Sequence, residues 1–179
     1  MRKVTFGGAC SLDNFIARSD DAVDWLMWCD EAGKVMKEYW AKIDTIVMGR
    51  KTYEVAIGGE SPDKGTKSPY GNIKTYVFSR TLKPGKTGEV EIISENPGEF
   101  VKNLKQQDGK EICIMGGGEL GRSLLEAGVI DEIGLNVHPV LLGSGIPLFH
   151  GMERQIDLEL VTCMAFTNGC VFVTYRVNH

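Results

Sequence analysis

The sequence predicts an α/β fold, a mainly parallel sheet that ends in an antiparallel C-terminal hairpin. Three observations lead there. Strand-like and helical segments alternate through the first three quarters of the chain, which favours layered α/β packing over separate α and β halves. Short apolar runs, I-V-M at 46–48 and I-C-I-M at 112–115, have the length and composition of buried strands. Finally, Asn168-Gly169 separates two β-rich runs, a short-range hairpin signal.

Residues 2–9 read as the first strand, and a helix follows a loop over about 30–42, with Val35, Met36, Tyr39 and Trp40 at helical spacing. A strand over 43–48 comes next. Residues 57–72 are dense in glycine, proline, serine and lysine and predict a mobile loop of the kind that borders binding sites. Strands follow at 75–79 and 90–94, and Asn96 with Pro97 supplies a cap and a first helical position. Residues 110–115 form a further strand, 119–127 a helix closed by Gly128, and 130–137 another strand. The tail D-L-E-L-V-T-C-M-A-F, then C-V-F-V-T-Y-R-V, gives the two arms of the hairpin.

With 179 residues and 42% hydrophobic content, the chain is expected to form one domain over 1–179. A net charge of −4 and scattered cations argue against a nucleic-acid partner. Five cysteines, an odd number without a C-x-x-C pair, fit neither a disulfide framework nor a zinc knuckle, and read as small buried hydrophobes in a reducing cytosol. The three histidines lack metal-ligand spacing, so no metal is expected. No run approaches the ~18 apolar residues of a membrane span, and the expectation is a soluble cytoplasmic protein. No G-x-S-x-G elbow supports a serine hydrolase.

The chemistry concentrates where strands give way to helices. In M-G-R-K-T-Y-E (48–54), Gly49 permits a tight turn, and Arg50 and Lys51 stand beside the N–H groups of a helix start, which suits a phosphate. Gly116, Gly117 and Gly118 follow the strand I-C-I-M and precede a helix; they admit a flat ligand or pyrophosphate, or else a close strand–helix turn. The pattern is not a full G-x-G-x-x-G, so any dinucleotide would be held differently from a Rossmann fold. Ser79 and Arg80 end a third strand, as a phosphate grip or a surface turn. Ligands of open α/β sheets bind along that carboxyl edge. Asp13, Asp24, Asp30, Glu54 and Glu119 lie near element ends, as substrate ligands, proton donors or caps. His138 reads as a strand-end residue, and Trp25, Trp28 and Trp40 as pocket lining or core.

Taken in order, S-L-D-N-F-I-A (11–17), D-W-L (24–26), M-G-R-K-T-Y-E, Y-V-F-S-R (76–80), I-M-G-G-G-E-L (114–120) and H-P-V-L-L-G-S-G-I-P-L-F (138–149) resemble the dihydrofolate reductase-like superfamily. Within it the chain is most similar to the reductase domain of the riboflavin-biosynthesis deaminase/reductase and its stand-alone relatives. The resemblance implies a three-layer fold with about eight strands and helices on both faces, often dimeric, and an NADPH-dependent reduction. It assigns cofactor phosphates to Gly49, Arg50, Lys51 and Thr52, and the adenosine 2′-phosphate to Ser79 and Arg80. It assigns the pyrophosphate and nicotinamide side to Gly116, Gly117, Gly118, Glu119 and Leu120, and the nicotinamide cover to Ala9, Leu12 and Ile16. Asp30 matches the carboxylate that grips the pteridine in folate-reducing members, while Lys74 stands alone where those members carry an arginine. The implied substrate is therefore a small pyrimidine-type or pterin-type molecule, with a ribosylaminopyrimidine phosphate ahead of dihydrofolate. Asp30 or Asp13 would deliver the proton. A non-catalytic NADP-binding dimeric module and a reductase of small carbonyls are the alternatives.

Overall fold

The computed structural model describes residues 1–58, 70–116 and 118–179. Most of the segment expected to be a mobile loop, and Gly117 of the glycine cluster, lie outside the described residues. The elements run β1 (Val4–Ser11), β2 (Phe15–Ala17), α1 (Asp30–Lys42), β3 (Ile43–Gly49), α2 (Arg50–Ala56), β4 (Lys74–Phe78), β5 (Gly85–Thr87) and β6 (Val90–Ile93). They continue with α3 (Pro97–Lys105), β7 (Glu111–Met115), α4 (Gly118–Glu126), β8 (Glu132–His138), β9 (Ile146–Pro147), β10 (Leu158–Ala165) and β11 (Val171–Val177).

Nine strands form one sheet in the order β10-β11-β8-β1-β7-β3-β4-β6-β5. The six from β8 to β6 run parallel, and antiparallel strands close both ends, β11 and β10 on one side and β5 on the other. The count exceeds the expected eight because β5, G-K-T, is short and fully exposed and has no apolar pattern to announce it. β2 and β9 pair separately as a small second sheet.

The central strands are apolar on both faces because both are covered. Val47, Tyr76, Ile112 and Ile114 meet Val101 and Leu104 of α3 and Leu124 and Leu125 of α4. Their sequence neighbours Ile46, Met48, Val77 and Cys113 point the other way, onto Tyr39 and Trp40 of α1 and Tyr53 of α2. This period of two produces the three layers. The local signals act as expected at α3, where the Asn96 side chain accepts the Glu99 N–H at 3.1 Å. At the hairpin, Phe166 and Cys170 still bond across (2.8 Å), so three residues turn rather than two, with Gly169 at φ 85°.

One charged pair ties this scaffold at the amino ends of the strands. Lys105, at the end of α3, is buried; its Nζ donates to both Asp131 oxygens at 2.8 Å and to the Val129 carbonyl at 3.0 Å. Asp131 also accepts the Val4 N–H at 2.8 Å. Removing the carboxylate leaves a buried ammonium short of its counter-charge and β1 without a terminal bond. Asp131→Ala is expected to lower unfolding free energy by about 3 kcal/mol, measured by urea denaturation against the parent chain.

Candidate functional site

Because β1, β7, β3 and β4 are adjacent and parallel, the chain leaves all four at one edge. Gly7 is level with Met115, Met115 with Met48, and Gly49 with Phe78. The three junctions singled out in the sequence therefore open into one cleft of about 1180 Å³. Gly49, Arg50, Lys51 and Thr52 line it from the β3–α2 turn, Ser79 and Arg80 from the end of β4, and Gly116, Gly118, Glu119 and Leu120 from the β7–α4 turn. Ala9 and Ile16 complete the wall from β1 and β2.

The glycine positions have a steric reason. Gly116 has φ 87°, and a Cβ there would collide with Oγ1 of Thr52, so the two junctions touch only if residue 116 has no side chain. At Gly118, φ 67°, an added Cβ would come within 3.2 Å of His150 Nε2, a tight contact rather than a collision. Both arginines at the rim are paired. Nη1 of Arg50 donates to both oxygens of Glu54, one turn along α2, at 2.7 and 3.0 Å. Nη2 of Arg80 reaches Glu119 at 2.7 Å across the cleft mouth, with both side chains largely exposed. The Ser79 hydroxyl oxygen accepts the N–H groups of Thr81 (3.2 Å) and Leu82 (3.0 Å), so it shapes the turn that carries Arg80.

The structure moves three expected residues away from the cleft. Leu12 is exposed and does not line it. Asp13 is a loop clamp: its carboxylate accepts the Ser11 hydroxyl at 2.6 Å and the N–H groups of Gly143 (2.8 Å) and Leu142 (3.1 Å). Those bonds, the Ser11 hydroxyl foremost, hold it below the usual carboxylate range, so it stays ionised. Asp30 opens α1 in an exposed position outside the lining.

The titratable lining residues that sequence reasoning passed over are Asp21, Glu95 and His150. Asn96 and Pro97 also line the cleft, which makes β6–α3 a third strand–helix junction there beside β3–α2 and β7–α4, while the end of β4 leads on to β5. Its signal is a short strand followed by a capped helix, with no cation at the turn and its glycine, Gly98, already inside the helix.

The RibD C-terminal domain profile matches residues 2–172. The chain belongs to the RibD C-terminal domain family. Among its relatives are two Bacillus subtilis proteins, YyaP (33% identical over 99% of this chain and 96% of its own length) and YwjB (36% identical over 89% of each). The fold is shared with a putative riboflavin biosynthesis protein from Shewanella sp. PV-4, TM-score 0.81 at 22% identity over the whole of both chains. It is shared also with a diaminohydroxyphosphoribosylaminopyrimidine deaminase/5-amino-6-(5-phosphoribosylamino)uracil reductase from Thermotoga maritima, TM-score 0.73 at 16% identity over 99% of this chain and 57% of that one. Family membership supports a reductase role for the RibD-type cleft.

The segment that enters this cleft through Asp21 and Val23 is held by a buried histidine. His138, at the end of β8, accepts the Met27 N–H on Nδ1 at 3.2 Å, and Trp25 stands edge-on to its ring at 5.3 Å. On the other side of the ring, Nε2 lies 3.1 Å from the side-chain amide nitrogen of Asn136. Burial pushes the His138 pKa below its ordinary value of 6.5, so the folded chain prefers the neutral ring. The unfolded chain binds the proton more readily, hence this contribution is complete above pH 6.5 and declines as pH falls below it. Urea midpoints are expected to drop between pH 7.5 and 5.5, and His138→Gln to flatten that slope.

Proposed function

We propose that the chain is an NADPH-dependent reductase of a pyrimidine-type or pterin-type small molecule, akin to the 5-amino-6-(5-phosphoribosylamino)uracil reductases. The observation that carries the reading is the convergence of three strand–helix junctions and the end of β4 on one cleft whose floor is kept free of side chains at Gly49, Gly116 and Gly118. The residues present fit a dinucleotide. Backbone exposed at three glycines lets a pyrophosphate approach closely, and Lys51, Arg50 and Arg80 supply positive charge at the rim.

Arg80 is the residue we assign to the 2′-phosphate. Its partner Glu119 is mostly exposed, and such surface pairs contribute only about 0–1 kcal/mol, so a phosphate dianion can displace the carboxylate. Arg50 is less available, because both oxygens of Glu54 hold its Nη1. Ile16, Ala17 and Val23 provide an apolar wall that limits water on the side of β1. When bound, NADPH supplies a hydride to a C=N or C=O carbon. The chain's part is orientation and binding, which carry much of the rate in such transfers. Asp13 and Asp30 lie off the lining, and the part of Asp13 in this reading is to position the loop after β1.

The small-molecule partner is accompanied in this reading by a second copy of the chain. β10 forms the outer edge of the sheet, eight residues long, with Leu158, Leu160 and Val161 exposed. An apolar edge of that length favours pairing. The reading also places the protein in the cytoplasm, where the reduced cofactor is available.

The function is tested by thermal shift and turnover together. NADPH is expected to raise the melting temperature by about 5 °C or more at saturation, and NADH by much less; Arg80→Ala should weaken NADPH binding about tenfold while leaving NADH unchanged. NADPH oxidation should then proceed with the ribosylaminopyrimidine phosphate and not with dihydrofolate. Equal shifts with both nucleotides overturn the cofactor, and binding without oxidation of NADPH by any pyrimidine or pterin identifies a non-catalytic module. For the assembly, sedimentation velocity is expected to give a dimer, and Leu160→Lys a monomer with unchanged NADPH affinity.

A further inference from the structure

Two of the five cysteines pack into one small apolar cluster where α1 begins. Cys29 caps that 13-residue helix, its sulfur accepting the Ala32 N–H at 3.4 Å, and it is half-buried. It packs against the small cluster of Ala32, Phe166 and Cys170, the last fully buried at the base of the hairpin turn. The same two segments are fastened from outside, where Glu31 accepts both the N–H (3.0 Å) and the hydroxyl (2.7 Å) of Thr167. On the inner side the Cys170 sulfur lies 3.4 Å from Nδ1 of His138.

This arrangement has the parts of a two-step thiol oxidation. Cys29 is the thiol that solvent reaches, and a helix start favours negative charge developing on its sulfur. Cys170 is shielded from solvent, so it can act only on a neighbour. His138 Nδ1 touches the Cys170 sulfur while it also accepts the Met27 N–H, which fixes the place of Cys170 between β8 and the segment before α1. Disulfide geometry requires Cβ atoms about 4 Å apart, and the Glu31–Thr167 bonds keep the two segments from separating.

We propose that Cys29 and Cys170 form an oxidation site for small peroxides. The Cys29 sulfur attacks the O–O bond of a hydroperoxide, giving a sulfenic acid while the peroxide is reduced to an alcohol, or to water in the case of hydrogen peroxide. Cys170 then attacks the sulfenic sulfur. The S–S bond forms as the S–O bond breaks, and the hydroxide that leaves takes up the Cys170 proton and departs as water. The two sulfurs lose two electrons in total, and the peroxide gains them. The bond would join the α1 cap to the hairpin, directly beside the segment that hangs on His138 and reaches the cleft at Val23. The site stands independently of the reductase reading.

The test is peptide mass spectrometry on the full chain after brief exposure to stoichiometric hydrogen peroxide and alkylation without reductant. The expected result is loss of two of the five thiols, recovered as one Cys29–Cys170 linked peptide pair that dithiothreitol separates. Cys170→Ser should stop the reaction at a Cys29 sulfenic acid that dimedone traps, and Cys29→Ser should leave Cys170 reduced. In the parent chain, alkylated Cys170 beside an oxidised Cys29, or a linkage through the exposed Cys163 instead, overturns the proposal. Thiols that all survive the exposure overturn it as well.

Discussion

Parallel pairing of β3 with both β4 and β7 is the constraint on which the rest depends. It sends three chain segments out of the sheet at one edge and at nearly one level, so turns far apart in sequence become walls of one space. It also demands that both faces of those strands be covered, since parallel strands carry their connections above and below the sheet. The alternation of Ile46, Val47 and Met48 between two buried clusters answers that demand with consecutive apolar residues. The glycine at 116 is a consequence at the next level. Adjacent junctions that leave the sheet side by side must share a narrow gap, and Thr52 already occupies it.

A second theme is the use of ionisable and polar side chains to hold loops. Asp13 gathers Ser11, Leu142 and Gly143, joining the chain after β1 to the chain after β8. His138 suspends the segment before α1 from the end of β8. Both groups look like candidate chemistry in a list of residue types, and both turn out to be engaged by backbone N–H groups. Ser79 belongs with them, since its oxygen closes a turn. Chemistry-bearing residues are thus recruited to fix loops, because a short loop that lacks ladder bonds needs side-chain acceptors for its N–H groups.

Much of the fold was legible because its signals are local. The apolar runs of β3 and β7, the Asn96-Pro97 helix start and the Gly128 stop all act within a few residues, and each element lies where its signal stood. The three junctions were legible for the same reason, glycine and cation following an apolar run. What was hidden depends on distant partners. β5 exists because β6 offers it an edge, and β2 because Ile146 and Pro147 come back to meet it. The placement of Asp13 could not be read from S-L-D-N-F, since the N–H groups that hold it belong to residues some 130 positions later. Asp30 matched a motif by spacing, yet spacing along a helix start does not say which way the helix presents that residue to a cleft.

The two rims of the sheet are unequal, and this limits what the molecule can build. One rim, β10, is long, apolar and bulged at Val161; the other, β5, is three exposed residues with a lysine in the middle. A strand-to-strand contact that joins unlike rims can repeat without end and grow a fibre, whereas one that joins like rims is finished after a single step. With only one rim long enough to recruit a partner, any edge-to-edge pairing of two copies would stop at that pair. The short lysine-bearing strand, unremarked by any pattern in the sequence, gives a partner's edge little to pair with on that side of the nine-stranded sheet.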